Sequence, residues 1–257
     1  MTALTAAPSR HSTVAGRLGS IVRLHFANPA TILYTPLAIL IVIFLGNLAV
    51  RWLILRNLDT AVGVTEATNG MQYSGATFFI FVYMMVVAVQ AVNISFGLAL
   101  GYGSTRRDFS LGTALTFVGL SISWTVLFAV MGGLEDATDG WGFGGNFFRA
   151  IYFGDGPLLE RVFAVLCTFL FFFFVGSATA SVYVHWRQRG MLIFFAALGI
   201  LVLGVVALLT FTEGWETFGE FFAGLGFIGG YALSLIPTAL AALAGWAILR
   251  RATPRSS

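Results

Sequence analysis

Residues 101–112 read Gly101-Tyr102-Gly103-Ser104-Thr105-Arg106-Arg107-Asp108-Phe109-Ser110-Leu111-Gly112. This stretch is a short, positively charged turn between two long runs, 74–100 and 109–131, that contain no charged residue. About 20 mostly apolar residues are enough for a helix to cross the hydrocarbon core of a bilayer. The pattern therefore predicts two membrane-spanning helices that are joined by a turn at one membrane surface.

The composition of the whole chain also indicates that most of it lies in a lipid bilayer. Of its 257 residues, 58% are hydrophobic and 10% are charged, whereas soluble domains average about 25% charged residues. Only helices and closed barrels satisfy their backbone groups in lipid, and these runs lack the two-residue alternation of barrel strands. We therefore predict an all-α polytopic membrane protein with a single transmembrane domain at residues 14–250.

Six segments of the chain are apolar enough to cross a membrane. The predicted spans are residues 32–55, 74–100, 109–131, 158–184, 191–212 and 228–249,. Apolar residues recur at helical spacing from Val14, which predicts an N-terminal amphipathic helix at the membrane surface or an ordinary juxtamembrane segment. Residues 1–13 are predicted to form a disordered tail, and residues 251–257 a second tail.

Residues 213–227 form the predicted outer hairpin. Glu213, Glu216 and Glu220 are spaced to share one helical face, and several glycines follow that permit a sharp reversal,. A re-entrant or interfacial hairpin before the last span fits this pattern, and a single tilted helix is the alternative.

The distribution of arginine predicts the orientation. All 14 basic residues are arginine; ten of them lie in one set of connections and four in the other, which also carries ten of the 11 acids. Short cytoplasmic loops carry the excess of positive residues. We therefore predict six spans with both termini in the cytoplasm.

Several kinds of chemistry are excluded or disfavoured. A chain without lysine cannot be a conventional P-loop ATPase, or form a Schiff base. No His-Glu-x-x-His motif for a metal site is present,. The three histidines lie outside the centres of the predicted spans, so Ser177 has no His at its depth for nucleophilic catalysis,. We therefore expect no catalytic site, no metal site and no cofactor bound by this chain. Glu135, Asp136 and Asp139 are expected to form a solvated acidic loop rather than a cation site. The arginines are too thinly spread to indicate a nucleic-acid partner.

The centres of the predicted spans carry neutral polar groups only. Ionisable residues at membrane depth usually serve proton relays, ion paths or gating, so their absence predicts that any transport is powered from outside this polypeptide. Gln90 and Asn93 share a face of the second span, and Asn47 lies in the first. Such amides either bond across packed helices or line a substrate path, and the sequence leaves both possibilities open.

These features together resemble the permease subunit of a bacterial ABC transporter of the type-two exporter class. The resemblance is carried by the N-terminal helix, the six spans, the Gly-Ser-Thr-Arg-Arg-Asp-Phe pattern at 103–109 and the glycine-rich outer hairpin. It implies export across the bacterial cytoplasmic membrane. Since the spans offer no fixed charge to bind an ion, we expect the substrate to be amphipathic or hydrophobic. The resemblance also implies two copies of a separate ATPase subunit that binds ATP and Mg, and a homodimer or heterodimer with a second permease.

In that family the first cytoplasmic turn is a coupling helix that sits in a cleft of the ATPase. The resemblance implies a partner-facing set of Tyr102, Ser104, Thr105, Arg106, Arg107, Asp108 and Phe109. Ser104 or Thr105 is expected to cap a short helix, Arg106 and Arg107 to meet acidic groups, and Phe109 to enter a partner pocket. Alternatively, both arginines only fix the orientation of the chain in the membrane and contact no partner.

Residues His185 to Gly190 form a second basic turn. The resemblance implies that its Arg187 and Arg189 are a second, weaker contact with the ATPase. The competing hypothesis, from another functional class, is a non-transporting scaffold or sensor subunit of a multi-protein assembly.

Overall fold

The computed structural model describes residues 13–58, 60–71 and 75–252, and in these ranges the chain forms helices and turns without a strand. Seven α-helices follow in chain order: α1 (Val14–His25), α2 (Thr35–Arg56), α3 (Ala61–Met71), α4 (Phe78–Gly101), α5 (Arg106–Ala137), α6 (Leu158–Phe211) and α7 (Trp215–Arg251). Short helical turns at Ala30–Tyr34 and Gly75–Thr77 precede α2 and α4, and two more, Gly140–Gly144 and Ile151–Phe153, lie between α5 and α6.

Five helical segments within the described residues are long and apolar enough to cross a membrane. They are Ala30–Arg56, Gly75–Gly101, Arg106–Ala137, Leu158–Phe211 and Trp215–Arg251. This confirms the predicted all-helical class, and each predicted span falls within one of these segments apart from residue 74 and residue 212 at their edges. Pro36 occupies the first turn of α2, where a helix tolerates proline because that N–H has no helical partner.

Helix α6 contains a reversal at its basic turn. A straight helix of its 54 residues would be about 80 Å long, far more than the roughly 30 Å of a bilayer core. The backbone leaves helical geometry at Arg187, where φ is 59° and ψ is −151°. Tyr231 of α7 donates a hydrogen bond to the carbonyl of Tyr152, and a Cβ atom on Gly245 of α7 would lie 3.4 Å from Cα of Ala178. The chain after Arg187 must therefore lead back from the end reached at Trp186 to the end near Tyr152. The arms 158–186 and 188–211 correspond to two of the predicted spans.

Helix α7 is interrupted in the glycine-rich region where we predicted a reversal. Gly226 has φ 65° and ψ −179°, a conformation that is accessible almost only to glycine. The break separates a short arm that carries Glu216 and Glu220 from the long arm 227–251, and Glu213 lies in the preceding turn with φ 51°. Three exposed glutamates therefore precede the break.

Two parts of the fold differ from the sequence-based expectation. Residues 61–71, between the first two predicted spans, form helix α3 where no helix was predicted, because Val64, Ala67 and Met71 recur at helical spacing despite Glu66,. Helix α5 continues to Ala137, about two turns beyond the predicted end of the span. Of the predicted tails, residues 1–12 and 253–257 lie outside the described residues.

Candidate functional site: the α4–α5 turn and its attachment to α1

A glycine-dependent cap ends helix α4 at the turn. The amide of Ser104 donates to the carbonyl of Ala99 and the amide of Gly103 donates to the carbonyl of Leu100, both at 3.0 Å. Gly103 has φ 80°, the left-handed conformation that this pair of hydrogen bonds requires. The turn is therefore a fixed structure with four residues, Tyr102 to Thr105, between the two helices.

Thr105 begins helix α5. Its backbone is extended, and its Oγ1 accepts a hydrogen bond of 3.0 Å from the amide of Asp108, which satisfies one of the free donors of the first turn. Asp108 also places a negative charge at the positive end of the helix dipole,. The expected cap is thus Thr105 rather than Ser104. The helix that it caps is the 32-residue α5, so the prediction of a separate short helix is wrong.

Asp108 and Phe109 point into the chain and not towards a partner. Asp108 is buried and accepts a hydrogen bond of 3.0 Å from Nε of Arg17 in α1. Phe109 is 0% exposed, and its ring packs against those of Phe96 and His25. The prediction that Phe109 enters a partner pocket is therefore wrong for this conformation, because the pocket that it fills belongs to its own chain.

The remaining members of the predicted set form the outer surface of the turn. Tyr102 is 81% exposed, and Thr105 and Arg107 are also exposed. Ser104 and Arg106 are half-buried, and Nη1 of Arg106 donates to the carbonyl oxygen of Arg250 at 2.9 Å. The surface that a partner can reach is thus centred on Tyr102, Thr105 and Arg107.

Helix α1 packs directly on the start of α5. A Cβ atom on Gly112 would lie 2.6 Å from Cβ of Ile21, so only glycine allows this approach. One helical turn further on, Nε2 of His25 lies 2.9 Å from Oγ1 of Thr113, and its Nδ1 lies 3.4 Å from Oγ of Ser95 in α4. With the Arg17–Asp108 ion pair, these contacts join α1, α4, α5 and the turn into one unit, which we call the turn unit.

The turn unit has a predictable response to pH. Burial lowers the pKa of His25 from the usual 6.5 to about 4, because the charged imidazolium is poorly solvated there. Between these two values the unfolded chain binds a proton that the folded chain does not, so stability falls as the pH is lowered. At pH 5 the loss from this group is about 2 kcal/mol.

Thermal unfolding in detergent at pH 7.5 and pH 5 measures this effect. We expect His25→Gln to unfold with a smaller pH dependence than the unmodified chain, since glutamine keeps polar atoms but does not titrate. An unchanged pH dependence in the variant would show that other groups are responsible.

The second basic turn lies at the same end of the bundle. Arg187 and Arg189 are both exposed, and the guanidinium of Arg187 lies 5.9 Å from the ring of Tyr183. Arg189 and Ile248 line one cavity of about 530 Å³, and Arg250, two residues after Ile248, contacts Arg106. The structure thus brings the two predicted contact sites to one end of the molecule.

The three predicted amides have different surroundings. Gln90 is exposed and Asn93 is half-buried, with its Oδ1 buried and without a hydrogen-bond partner among the described residues. Asn47 accepts a hydrogen bond of 3.2 Å from Nε of Arg51. Asn47 therefore orients an arginine of its own helix.

The opposite end of the bundle contains a buried charge cluster that the sequence reasoning missed. Glu135 is 1% exposed and accepts hydrogen bonds from the indole of Trp141 at 3.1 Å and from the amides of Phe147 and Arg149 at 2.7 and 2.9 Å. Arg51 is 2% exposed and interacts electrostatically with Glu135. The expectation of a solvated Glu135 is wrong, because this carboxylate holds the loop that follows α5.

The neighbouring acids of this loop behave as expected for exposed groups. Asp136 pairs with Arg149, and Asp139 is exposed. Among the described residues no group of three or more His, Cys, Asp and Glu side chains could hold a metal ion. The loop acids are therefore surface charges around a buried carboxylate.

An open cavity of about 900 Å³ lies between α2 and α4. Its walls are mainly apolar and aromatic, formed by Tyr34, Thr35, Ala38, Ile39, Val42, Ile43, Gly75, Ala76, Phe79 and Tyr83. The volume is within the range that small-molecule sites occupy. Gln90, Asn93 and Asn47 do not line it.

The comparisons with known proteins give no relative. No protein-family model, no curated protein and no solved structure matches this chain.

Proposed function

We propose that this chain is the permease subunit of an ATP-driven exporter of the ABC type, and that a separate ATPase subunit acts on it through the α4–α5 turn. The observation that carries the proposal is the construction of the turn unit. Tyr102, Thr105 and Arg107 are presented outward, while Asp108 and Phe109, directly behind them, are fixed to α1 and α4. A force on this exposed face of the turn would move α1, α4 and α5 together.

The proposed topology has six crossings. The two arms of α6 count as separate spans, because the reversal at Arg187 brings the chain back to the end from which it came. The arginine-rich end carries Arg106, Arg107, Arg187, Arg189 and Arg250. The positive-inside rule assigns that end, with both termini, to the cytoplasm of a bacterial cell.

The proposed energy source is ATP hydrolysis outside this polypeptide. The buried ionisable pair Arg51 and Glu135 lies near the ends of its helices and fixes a loop. Intramembrane ion carriers usually place such residues along a path at membrane depth. A pair that holds a loop at one end offers no such path, so an external motor fits the chain better.

The proposed cargo is hydrophobic or amphipathic. The cavity between α2 and α4 is large enough for a lipid-like molecule, and its aromatic residues Tyr34, Phe79 and Tyr83 suit an apolar or ring-containing ligand,. It opens between two helices that are apolar enough to lie in the membrane, so a cargo from the bilayer could enter it sideways.

The proposed assembly pairs this permease with a second one, either identical or related. Gln90, Gly97 and Gly101 are exposed on α4 within a candidate span. A glutamine in lipid gains from an amide partner on another helix, and glycines let that helix approach closely.

Affinity purification of the full chain in mild detergent tests the proposed function. We expect an ATPase subunit to co-purify at a ratio close to one per permease, and transport in reconstituted vesicles to require ATP. A chain that purifies without an ATPase and drives uphill movement of a solute from an ion gradient alone would contradict the proposal. A stable complex with other membrane proteins but without an ATPase would favour the scaffold hypothesis instead.

A further inference from the structure

We propose that a groove between α5, α6 and α7, at the arginine-rich end, binds one anionic phospholipid of the adjacent leaflet. This inference rests on the membrane location of the chain and on local geometry. It does not depend on an ATPase partner, so the two proposals can fail separately.

The groove has the shape and lining of an acyl-chain site. Its volume is about 310 Å³, and its walls include Leu111, Ala114, Phe174, Leu243, Trp246 and Leu249. The α7 residues of the lining extend over about 10 Å along the helix axis. Leu111 and Leu243 are 44% and 60% exposed, so the groove is open to the surrounding lipid.

Two arginines mark one end of this groove. Arg106 lies one helical turn before Ser110, and Arg250 lies one turn after Trp246. The hydrogen bond from Nη1 of Arg106 to the carbonyl of Arg250 brings both to the same place. The guanidinium of Arg250 lies 4.5 Å from the ring centre of Trp246, as expected for a tryptophan and an arginine at a membrane–water interface.

The charge around this end is strongly positive. Arg107 and Arg251 are exposed beside the two marking arginines. The acid in this part of the sequence is Asp108, which is buried and paired with Arg17. The cluster therefore keeps an uncompensated positive charge towards the membrane surface.

An anionic phospholipid matches both halves of this site. Guanidinium groups bind phosphate oxygens with charge-assisted hydrogen bonds, and basic pockets between membrane helices bind anionic head groups. The apolar groove receives an acyl chain and the arginines receive the phosphate. A second copy of this chain is a poorer occupant, because its matching end would bring a second arginine cluster against the first.

Native mass spectrometry of the purified, delipidated full chain tests the proposal. The probes are phosphatidylglycerol and phosphatidylethanolamine with identical acyl chains, each titrated separately. We expect one phosphatidylglycerol to bind at least tenfold more tightly than phosphatidylethanolamine. The double variant Arg106→Gln/Arg250→Gln should weaken phosphatidylglycerol binding by about 25-fold, or about fivefold for each arginine removed.

Arg56→Gln is the matched control. Arg56 also lies over a tryptophan one turn earlier, 5.0 Å from the ring centre of Trp52, but it is at the opposite end of α2 from the turn unit. The Arg56→Gln substitution should leave the affinity for phosphatidylglycerol unchanged. The double variant Arg106→Lys/Arg250→Lys should keep most of the preference for phosphatidylglycerol that the double glutamine variant loses, since lysine retains the positive charges.

Ala114→Phe tests the groove without touching the arginines. The larger side chain should fill the space for the acyl chain and weaken the binding of both lipids by similar factors. The arginine variants should weaken the binding of phosphatidylglycerol more than that of phosphatidylethanolamine, whose ammonium group offsets the phosphate charge. Equal affinity for the two lipids, an equal loss in Arg56→Gln, or unchanged binding in Ala114→Phe would each overturn the proposal. So would a dimer of the chain that is lost in Ala114→Phe while lipid binding persists.

Discussion

Replacing Glu135 with alanine should lower the free energy of unfolding by about 3–5 kcal/mol, since this buried carboxylate accepts three hydrogen bonds and interacts with Arg51,. Arg51 would lose its electrostatic interaction with that carboxylate. The indole N–H of Trp141 and the amides of Phe147 and Arg149 would lose their common acceptor, which adds the cost of unsatisfied buried donors. We expect this to be the most destabilising single substitution among the loop acids.

Chemical unfolding in detergent micelles measures this effect, and Asp136→Ala is its matched control. Asp136 is the adjacent acid and is also paired with an arginine, but it is exposed. Exposed ion pairs contribute about 0–1 kcal/mol, so the control should change little. Equal losses in the two variants would show that Glu135 has no special role in holding the loop.

Replacing Gly112 with valine should detach α1 from the turn unit. The new Cβ would lie 2.6 Å from Cβ of Ile21, and neither backbone can move without breaking the Arg17–Asp108 and His25–Thr113 contacts. Overpacking of this kind costs about 1–3 kcal/mol. We expect faster proteolysis of α1 and a lower melting temperature.

The same substitution at Gly119 is the control for Gly112→Val. Gly119 lies two helical turns further along α5, and a Cβ atom there would meet no neighbour within 4 Å. The change in helix propensity is therefore matched and only the packing differs. Adding Ile21→Ala to Gly112→Val should recover part of the lost stability, because the smaller side chain makes room for valine and the effects of residues in contact are not additive. Identical behaviour of the two valine variants would contradict the close packing of α1.

The sequence predicts the helices well because lipid demands long apolar runs and these are local features. The apolar segments and their edges match the helices within a few residues along most of the chain. The breaks in helical geometry at Arg187 and Gly226 were also predictable in position, because a basic turn and a cluster of glycines interrupt the apolar pattern there.

The contacts that build the site were beyond the sequence because they join distant residues. Arg17 and Asp108 are 91 positions apart, and no local pattern distinguishes a buried Asp108 from a solvated one. The same holds for Glu135, whose three donors come from the loop that it organises. Phe109 was assigned to a partner pocket because the resemblance places the whole turn against a partner, but one step along a helix turns a side chain by about 100°.

The loss of an ATPase from Arg107→Glu tests the central claim most directly. Arg107 is exposed on the turn, whereas Arg23 is an exposed arginine of α1 in the same proposed compartment, so Arg23→Glu makes the same change of charge away from the contact. Affinity purification of both variants should show at least tenfold less bound ATPase with Arg107→Glu, and unchanged binding with Arg23→Glu. Full retention of an active ATPase by Arg107→Glu would contradict the claim that the α4–α5 turn is the point of contact.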